Sequence, residues 1–225
     1  VSAAPEGAGP RTVADVMTRA VVGIGAEAAF KEIVRTLRER RISALPVLSA
    51  EGRVVGVVSE RDLLAKEEFH DRVPPSRVDW LREPSDALKA AGVTAGELMT
   101  APAVTVRAGA PIPLAARSMA VHGVKRLPVT DEEGLLVGVV SRSDLLKVFL
   151  RPDVELAREV REEVVAHLFP GPGVTVDVRQ GVVVLAGEVP DTSLIPAAVR
   201  LARAVEGVVD VDPRLHGPSR RPSAD

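Results

Sequence analysis

The chain contains no cysteine and no tyrosine, and only one tryptophan and four phenylalanines in 225 residues. Without cysteine there is no disulfide, no thiolate chemistry and no Cys-ligated zinc. With aromatics at 2%, the interior has to be built from Val, Leu, Ile and Ala, and Val favours strands. An excess of charge of one sign is also missing. The 29 Lys and Arg stand against 31 Asp and Glu, net −2, which lacks the basic surplus that nucleic-acid binding usually shows. No run of about 18 uncharged apolar residues occurs, so no segment reads as a membrane-spanning helix. Residues 1–10 lack the basic-then-apolar order of a signal peptide. Residues 1–12 and 216–225 read as disordered tails, and the expected location is the cytoplasm. Catalytic signatures are absent as well: there is no Gly-x-x-x-x-Gly-Lys-Ser/Thr, Gly-x-Ser-x-Gly or His-Glu-x-x-His. His70, His122, His167 and His216 fall in four separate regions. The reading is of a non-enzyme that requires no cofactor and no metal.

What is present is an internal repeat. Val16-Met17-Thr18 recurs as Leu98-Met99-Thr100, and Leu45-Pro46-Val47 as Leu127-Pro128-Val129. Glu51-Gly52 recurs as Glu133-Gly134, and Val55-Gly56-Val57-Val58-Ser59 as Val137-Gly138-Val139-Val140-Ser141. Asp62-Leu63-Leu64 recurs as Asp144-Leu145-Leu146, and every pair has the same offset of 82. Two gapless copies, 13–68 and 95–150, explain this register.

Each copy reads as strand, helix, strand, strand, helix. In the first, a short strand over 21–24 precedes an amphipathic helix over 28–40, with Ile33, Val34 and Leu37 on its buried face. Strands over 42–48 and 54–58 follow, joined by a turn at Glu51-Gly52, and the second, wholly apolar, reads as buried on both faces. Ser59 then caps a helix starting at Glu60. One such unit cannot cover both faces of its sheet, so the two copies are expected to pack sheet to sheet. Residues 69–94 form a long connection carrying Pro74, Pro75, Pro84 and the lone Trp80. It reads as a strap that lays Trp80 and Leu81 on the pair.

The Leu-Met-Thr start, the Leu-Pro-Val strand and Gly-Val-Val-Ser-x-x-Asp-Leu-Leu resemble the CBS (cystathionine β-synthase) domain, present twice. The resemblance implies an α/β (α+β) fold of paired βαββα repeats. It also implies an adenine-nucleotide ligand between them, AMP, ADP, ATP or S-adenosylmethionine, and a homodimer through the CBS modules. Chemically, a Ser at a strand-to-helix junction offers a hydroxyl and the positive end of a helix dipole to phosphate. An Asp three residues on can accept from ribose hydroxyls, as it does in the family. Ser59, Asp62, Ser141 and Asp144 are therefore candidates, and Ser143 and Arg61 occupy equivalent positions beside them. Lys125-Arg126 stands where some members carry His-Arg facing phosphates, and the first copy has Ser43-Ala44 there. The half-site receiving Lys125, Arg126 and Arg142 is expected to prefer the more negative ligand. Adenine is placed against Val22 and Val104, with Thr105 a further contact whose counterpart is Gly23. Ser-x-x-Asp is equally a helix cap, and some paired modules act as ligand-free dimerisation scaffolds.

From 153 onward the pattern changes. A helix over 154–168, with Val154, Val160, Val164 and Leu168 on its buried side, leads to strands over 174–178 and 182–186 joined through Arg179-Gln180-Gly181. A helix over 196–205 and a last strand after Gly207 follow. The Val174-x-Val176-x-Val178 strand, the run from Gly181 to Val189 and the helix ending Val205-Glu206-Gly207-Val208 resemble a BON domain, placed at 153–215. A CBS pair followed by a BON domain implies a recurrent bacterial arrangement, with the BON domain as output or protein-contact module. BON domains are associated with lipid surfaces. Here 153–213 carries eleven acidic and five basic residues, net −6, opposite in sign to what anionic lipid attracts. Lipid binding is disfavoured on that ground.

Overall fold

The computed structural model describes residues 12–68 (backbone only over 65–68) and 92–218. The strap with Trp80 and Leu81 lies outside the described residues, as do most of both predicted tails. The chain divides into two compact units, Thr12–Asp144 and Leu145 onward.

In the first unit, α1 (Val13–Val16) is followed by β1 (Ile24–Gly25), α2 (Phe30–Arg40), β2 (Ala44–Leu48), β3 (Val54–Ser59) and α3 (Glu60–Glu68). The second copy repeats this as α4 (Ala95–Leu98), β4 (Val106–Arg107), α5 (Ile112–Val121), β5 (Arg126–Thr130), β6 (Leu136–Ser141) and α6 (Arg142–Leu145). Each sheet has β1 parallel to β2 (or β4 to β5) and an antiparallel hairpin, β2–β3 or β5–β6. Gly52 and Gly134 supply the positive φ, +82° and +83°, that the hairpin turns require. Pro113 sits within the first turn of α5, where its missing N–H costs nothing.

The short helices α1 and α4 were not expected from sequence. Both begin with capping boxes: Asp15 accepts from the Thr12 amide (2.9 Å), and Glu97 from the Thr94 amide (3.0 Å). They are exchanged between the copies. Ala95 and Leu98 of α4 are wholly buried in the core of the first repeat, with Ile33, Leu45, Val47 and Val58. Val13 and Ala14 of α1 donate backbone hydrogen bonds to Ala110 and Ala108 of the second. Past each helix, Thr100 pairs with Val57 on the free edge of β3, and Thr18 pairs with Val139 on the free edge of β6. Each copy thus adds a bridge to the free edge of the other's sheet.

Three sequence expectations change. Val34 is 42% exposed rather than buried, because the core-facing stripe of α2 is only Ile33 and Leu37 wide. The first strand is Ile24–Gly25 rather than 21–24, since only those residues pair with β2. In β3 only Gly56 and Val58 are buried; Val55 and Val57 are half-covered, so the strand is not buried on both faces.

The second unit opens with a 3₁₀ turn, Leu146–Leu150. It continues with α7 (Asp153–Val160), extended through a π turn (Arg161–Val165) to Leu168. The hairpin β7 (Val174–Arg179) and β8 (Val182–Glu188), helix α8 (Ile195–Ala204) and β9 (Asp210–His216) complete it. β8 is central, antiparallel to β7 and parallel to β9. Gln180 and Gly181, both at positive φ, make the two-residue hairpin turn whose twist suits the strands. Asp153 at the start of α7 accepts both their amides, at 2.7 and 2.8 Å. Val160, Val164, Val183, Leu185, Ala198 and Ala202 form the core. Val154 is 75% exposed, contrary to expectation; Leu156 takes the buried place. β9 runs on to His216, a residue the sequence placed in the tail, because Val189 donates to its carbonyl (2.9 Å).

Candidate functional site

The Ser-x-x-Asp motifs do the same local work in both copies. The Asp62 Oδ2 atom accepts from the Ser59 amide at 2.8 Å and from the Ser59 hydroxyl at 2.6 Å. Asp144 Oδ2 accepts from the Ser141 amide at 2.9 Å and its hydroxyl at 2.5 Å. These are helix caps in which the Asp carboxylate holds the residue before its helix. The geometry has a chemical consequence. Each serine hydroxyl donates its one hydrogen bond to the neighbouring carboxylate, so its oxygen is left as an acceptor and is a poor donor to phosphate. The second oxygen of Asp62, Oδ1, accepts a long bond, 3.4 Å, from Thr100 of the other copy.

Two clefts open at these caps, and each draws on both copies. The larger, about 460 Å³, is lined by Ser43, Val57, Ser59, Arg61 and Asp62 of the first copy and by Thr100, Val104, Lys125 and Arg126 of the second. The smaller, about 270 Å³, is lined by Ser141, Asp144 and Arg126 of the second copy and by Thr18, Val22, Arg40 and Ala44 of the first. The larger falls within the usual range for small-molecule sites and the smaller just below it. Arg61, Lys125 and Arg126 face Glu60 and Asp62 around the larger cleft, so cations prevail by one.

Three candidates lie elsewhere. The Arg142 guanidinium turns back to the Val124 carbonyl (3.1 Å) and lines neither cleft, so it does not join Lys125 and Arg126. Ser143 is exposed and its hydroxyl contacts that of Ser141 (2.9 Å). Thr105 is exposed outside both clefts, one residue before β4. Lys125 is grouped with Asp62 of the other copy and not with the Asp144 of its own, whereas Arg126 lines a cleft with each. Thr18, Thr100 and Arg40 were missed as site residues. The two threonines were visible in the repeat, but nothing in it shows that they cross to the other sheet. Arg40 aligns with His122 and carries no signal.

Two βαββα units that add bridges to each other's sheet edges around a pair of twofold-like clefts define a tandem-repeat, intramolecularly paired module. The family model for the CBS domain matches residues 13–68 and 95–151, half of the chain, and the chain belongs to the CBS domain family. The BON domain model matches residues 152–216. Both are regulatory, non-catalytic modules. By its contacts the turn Leu146–Leu150 groups with the BON unit, although the CBS match runs through it.

Among relatives, an uncharacterized protein of Methanocaldococcus jannaschii is 28% identical over 153 residues, 61% of this chain and 90% of that one. A CBS domain-containing protein of Dictyostelium discoideum is 30% identical over 140 residues, 62% of this chain and 91% of its own. The crystal structure of CBSX2 in complex with AMP, a protein of Arabidopsis thaliana, is 29% identical. It covers 63% of this chain and 97% of that one, with a TM-score of 0.54.

No helix among the described residues is long and apolar enough to cross a membrane, and no cluster of three or more of their His, Asp and Glu side chains is placed to hold a metal ion.

Proposed function

We propose that this protein is a regulatory sensor that binds an adenine nucleotide, AMP, ADP, ATP or S-adenosylmethionine, between its CBS repeats and signals through the BON domain. The observation that carries the reading is the larger cleft, where the Asp62 carboxylate of one copy is placed in the same cavity as Lys125 and Arg126 of the other. Ribose hydroxyls replace the long Thr100 bond at Asp62 Oδ1. Phosphates are met by Lys125, Arg126 and Arg61 rather than by the spent Ser59 hydroxyl, and the base lies against Val104. In the smaller cleft Asp144 and Val22 take the equivalent roles. The likeness to CBSX2, solved with AMP, supports the ligand class.

Apolar side chains left exposed on the helices, Val34 on α2 and Leu114 and Val121 on α5, support a homodimer through the helical faces. Ligand then acts by shifting populations of the paired repeats, and a coupling of about 1–3 kcal/mol suffices for regulation.

The test is a thermal-shift panel of AMP, ADP, ATP and S-adenosylmethionine against the chain and an Asp62→Ala/Asp144→Ala variant. A ligand at about 100 times its Kd adds roughly 2.7 kcal/mol, or about 5–10 °C for a chain of this size. Such a shift, lost in the variant, is expected. A flat panel makes the module a ligand-free scaffold.

A further inference from the structure

We propose that the two clefts share one phosphate-binding guanidinium, Arg126, so that a phosphate-bearing ligand in the larger cleft weakens the binding of a second one in the smaller. This rests on the nucleotide reading above and adds a coupling that the two half-sites need not have had.

Arg126 opens β5 and lines both clefts. Its repeat mate, Ala44, also lines both, so this position lies where the clefts adjoin. One copy supplies a methyl group there and the other a cation. Two nearly symmetric clefts therefore have a single cation at their common border. Arg126 is partly buried, and its guanidinium bonds no described residue. Asp144 lines the same cleft, but its carboxylate is drawn down onto the amide and hydroxyl of Ser141. A partly desolvated guanidinium with no carboxylate partner among the described residues is suited to bidentate capture of a phosphate.

The clefts do not compete for it equally. Arg126 aside, the lining charges balance in both, Lys125 and Arg61 against Glu60 and Asp62 in the larger and Arg40 against Asp144 in the smaller, but the larger brings two further cations within reach of a phosphate and the smaller only one. The first phosphate goes to the larger cleft and takes Arg126 with it. A second phosphate, in the smaller cleft, then finds neither a net cation nor a neutral border. A nucleoside without phosphate makes no claim on Arg126 and is not penalised.

Calorimetric titration of the full chain with AMP and with adenosine tests this. Val104→Trp fills the larger cleft and Val22→Trp the smaller, so each variant reports the AMP affinity of one cleft alone. If either loses its cooperative melt, Asp62→Asn and Asp144→Asn take their place. In the unaltered chain the second AMP should bind about 5–150-fold more weakly than the Val104→Trp variant binds its one, the usual span of such couplings. Adenosine should show no such gap, and in an Arg126→Ala background the AMP gap should narrow. Equal AMP affinities in the two measurements overturn the inference. So does a gap that adenosine shares or that survives Arg126→Ala unchanged, and so does a Val104→Trp variant that binds no AMP. Absence of AMP binding in every chain instead defeats the nucleotide reading itself.

Discussion

Gly56 and Gly138 are glycines for reasons of space, and this can be measured. Neither has a positive φ, so an alanine at either site is not strained in its backbone. A Cβ at Gly56 would run into Met99, too close to Sδ and 2.8 Å from Cγ, and all three of its nearest neighbours belong to that one side chain. A Cβ at Gly138 would lie 2.6 Å from Met17 Sδ and 3.0 Å from the Thr18 carbonyl oxygen. Overpacking of this kind costs about 1–3 kcal/mol. The lower chain entropy of alanine in the unfolded state returns about 0.4–1 kcal/mol. The net loss for Gly56→Ala is about 0–2.6 kcal/mol, at most about 10 °C in melting temperature for a chain of this size. Met99→Ala alone leaves a void, and because Met99 is half-buried the loss stays below the roughly 2–5 kcal/mol of a fully buried site. The two changes together place a methyl group where the thioether was. The double variant should be more stable than the sum of the singles by about 0.5–3 kcal/mol. Gly138→Ala with Met17→Ala should recover less, because the Thr18 carbonyl is backbone and holds the Val139 amide at 3.0 Å. Denaturant melts of the four chains of each cycle supply the numbers. Additivity within about 0.5 kcal/mol at Gly56 and Met99 would refute the exchanged packing of the Met-Thr arms.

Ser59→Ala should cost about 0.5–2 kcal/mol as a lost cap yet leave AMP affinity within a few-fold, whereas Lys125→Ala should weaken AMP and flatten its salt dependence; equal losses would return phosphate recognition to the serine. In the BON unit, Arg151 donates to Glu159 Oε2 (2.7 Å) and the Glu206 carbonyl (2.6 Å), and its side chain is 5% exposed. Arg151→Ala strands a largely buried carboxylate, so a loss of about 3–5 kcal/mol is expected, read as faster hydrogen exchange of the β8 amides; unchanged protection would show the pair to be dispensable. The Val211 amide first and Arg203 second hold the Asp210 carboxyl below the ordinary aspartate range. With the folded value lowered, the contribution is present above the unfolded value and is lost as pH falls through the folded one. Arg203→Gln should move the Asp210 titration upward in a carbon-detected NMR titration, and an unmoved midpoint would mean that the amide alone sets it.

The repeat made the elements legible because each rests on short-range physics: Leu-Pro-Val and Val-Gly-Val-Val as strands, Glu-Gly at a turn, Ser-x-x-Asp as a cap. The same reasoning failed where a residue's partner is remote. Val34 and Val154 are apolar at helical spacing and still face outward, since periodicity gives the width of a stripe only when the opposing surface is known. The Met-Thr blocks were visible as a repeat, but alignment equates Met17 with Met99, whereas packing sets Met17 against Gly138 and Met99 against Gly56. That exchange decides the site. It carries Thr100 to the edge of β3 beside Asp62, and the larger cleft there brings Lys125 and Arg126 together with an aspartate of the other copy. The electrostatic asymmetry of the two half-sites was therefore readable as a difference between Ser43-Ala44 and Lys125-Arg126, but not its address. A cation that alignment assigns to one copy stands, once the arms have crossed, on the boundary of both clefts. Each cleft is lined by both copies, and no single copy of the motif encloses one.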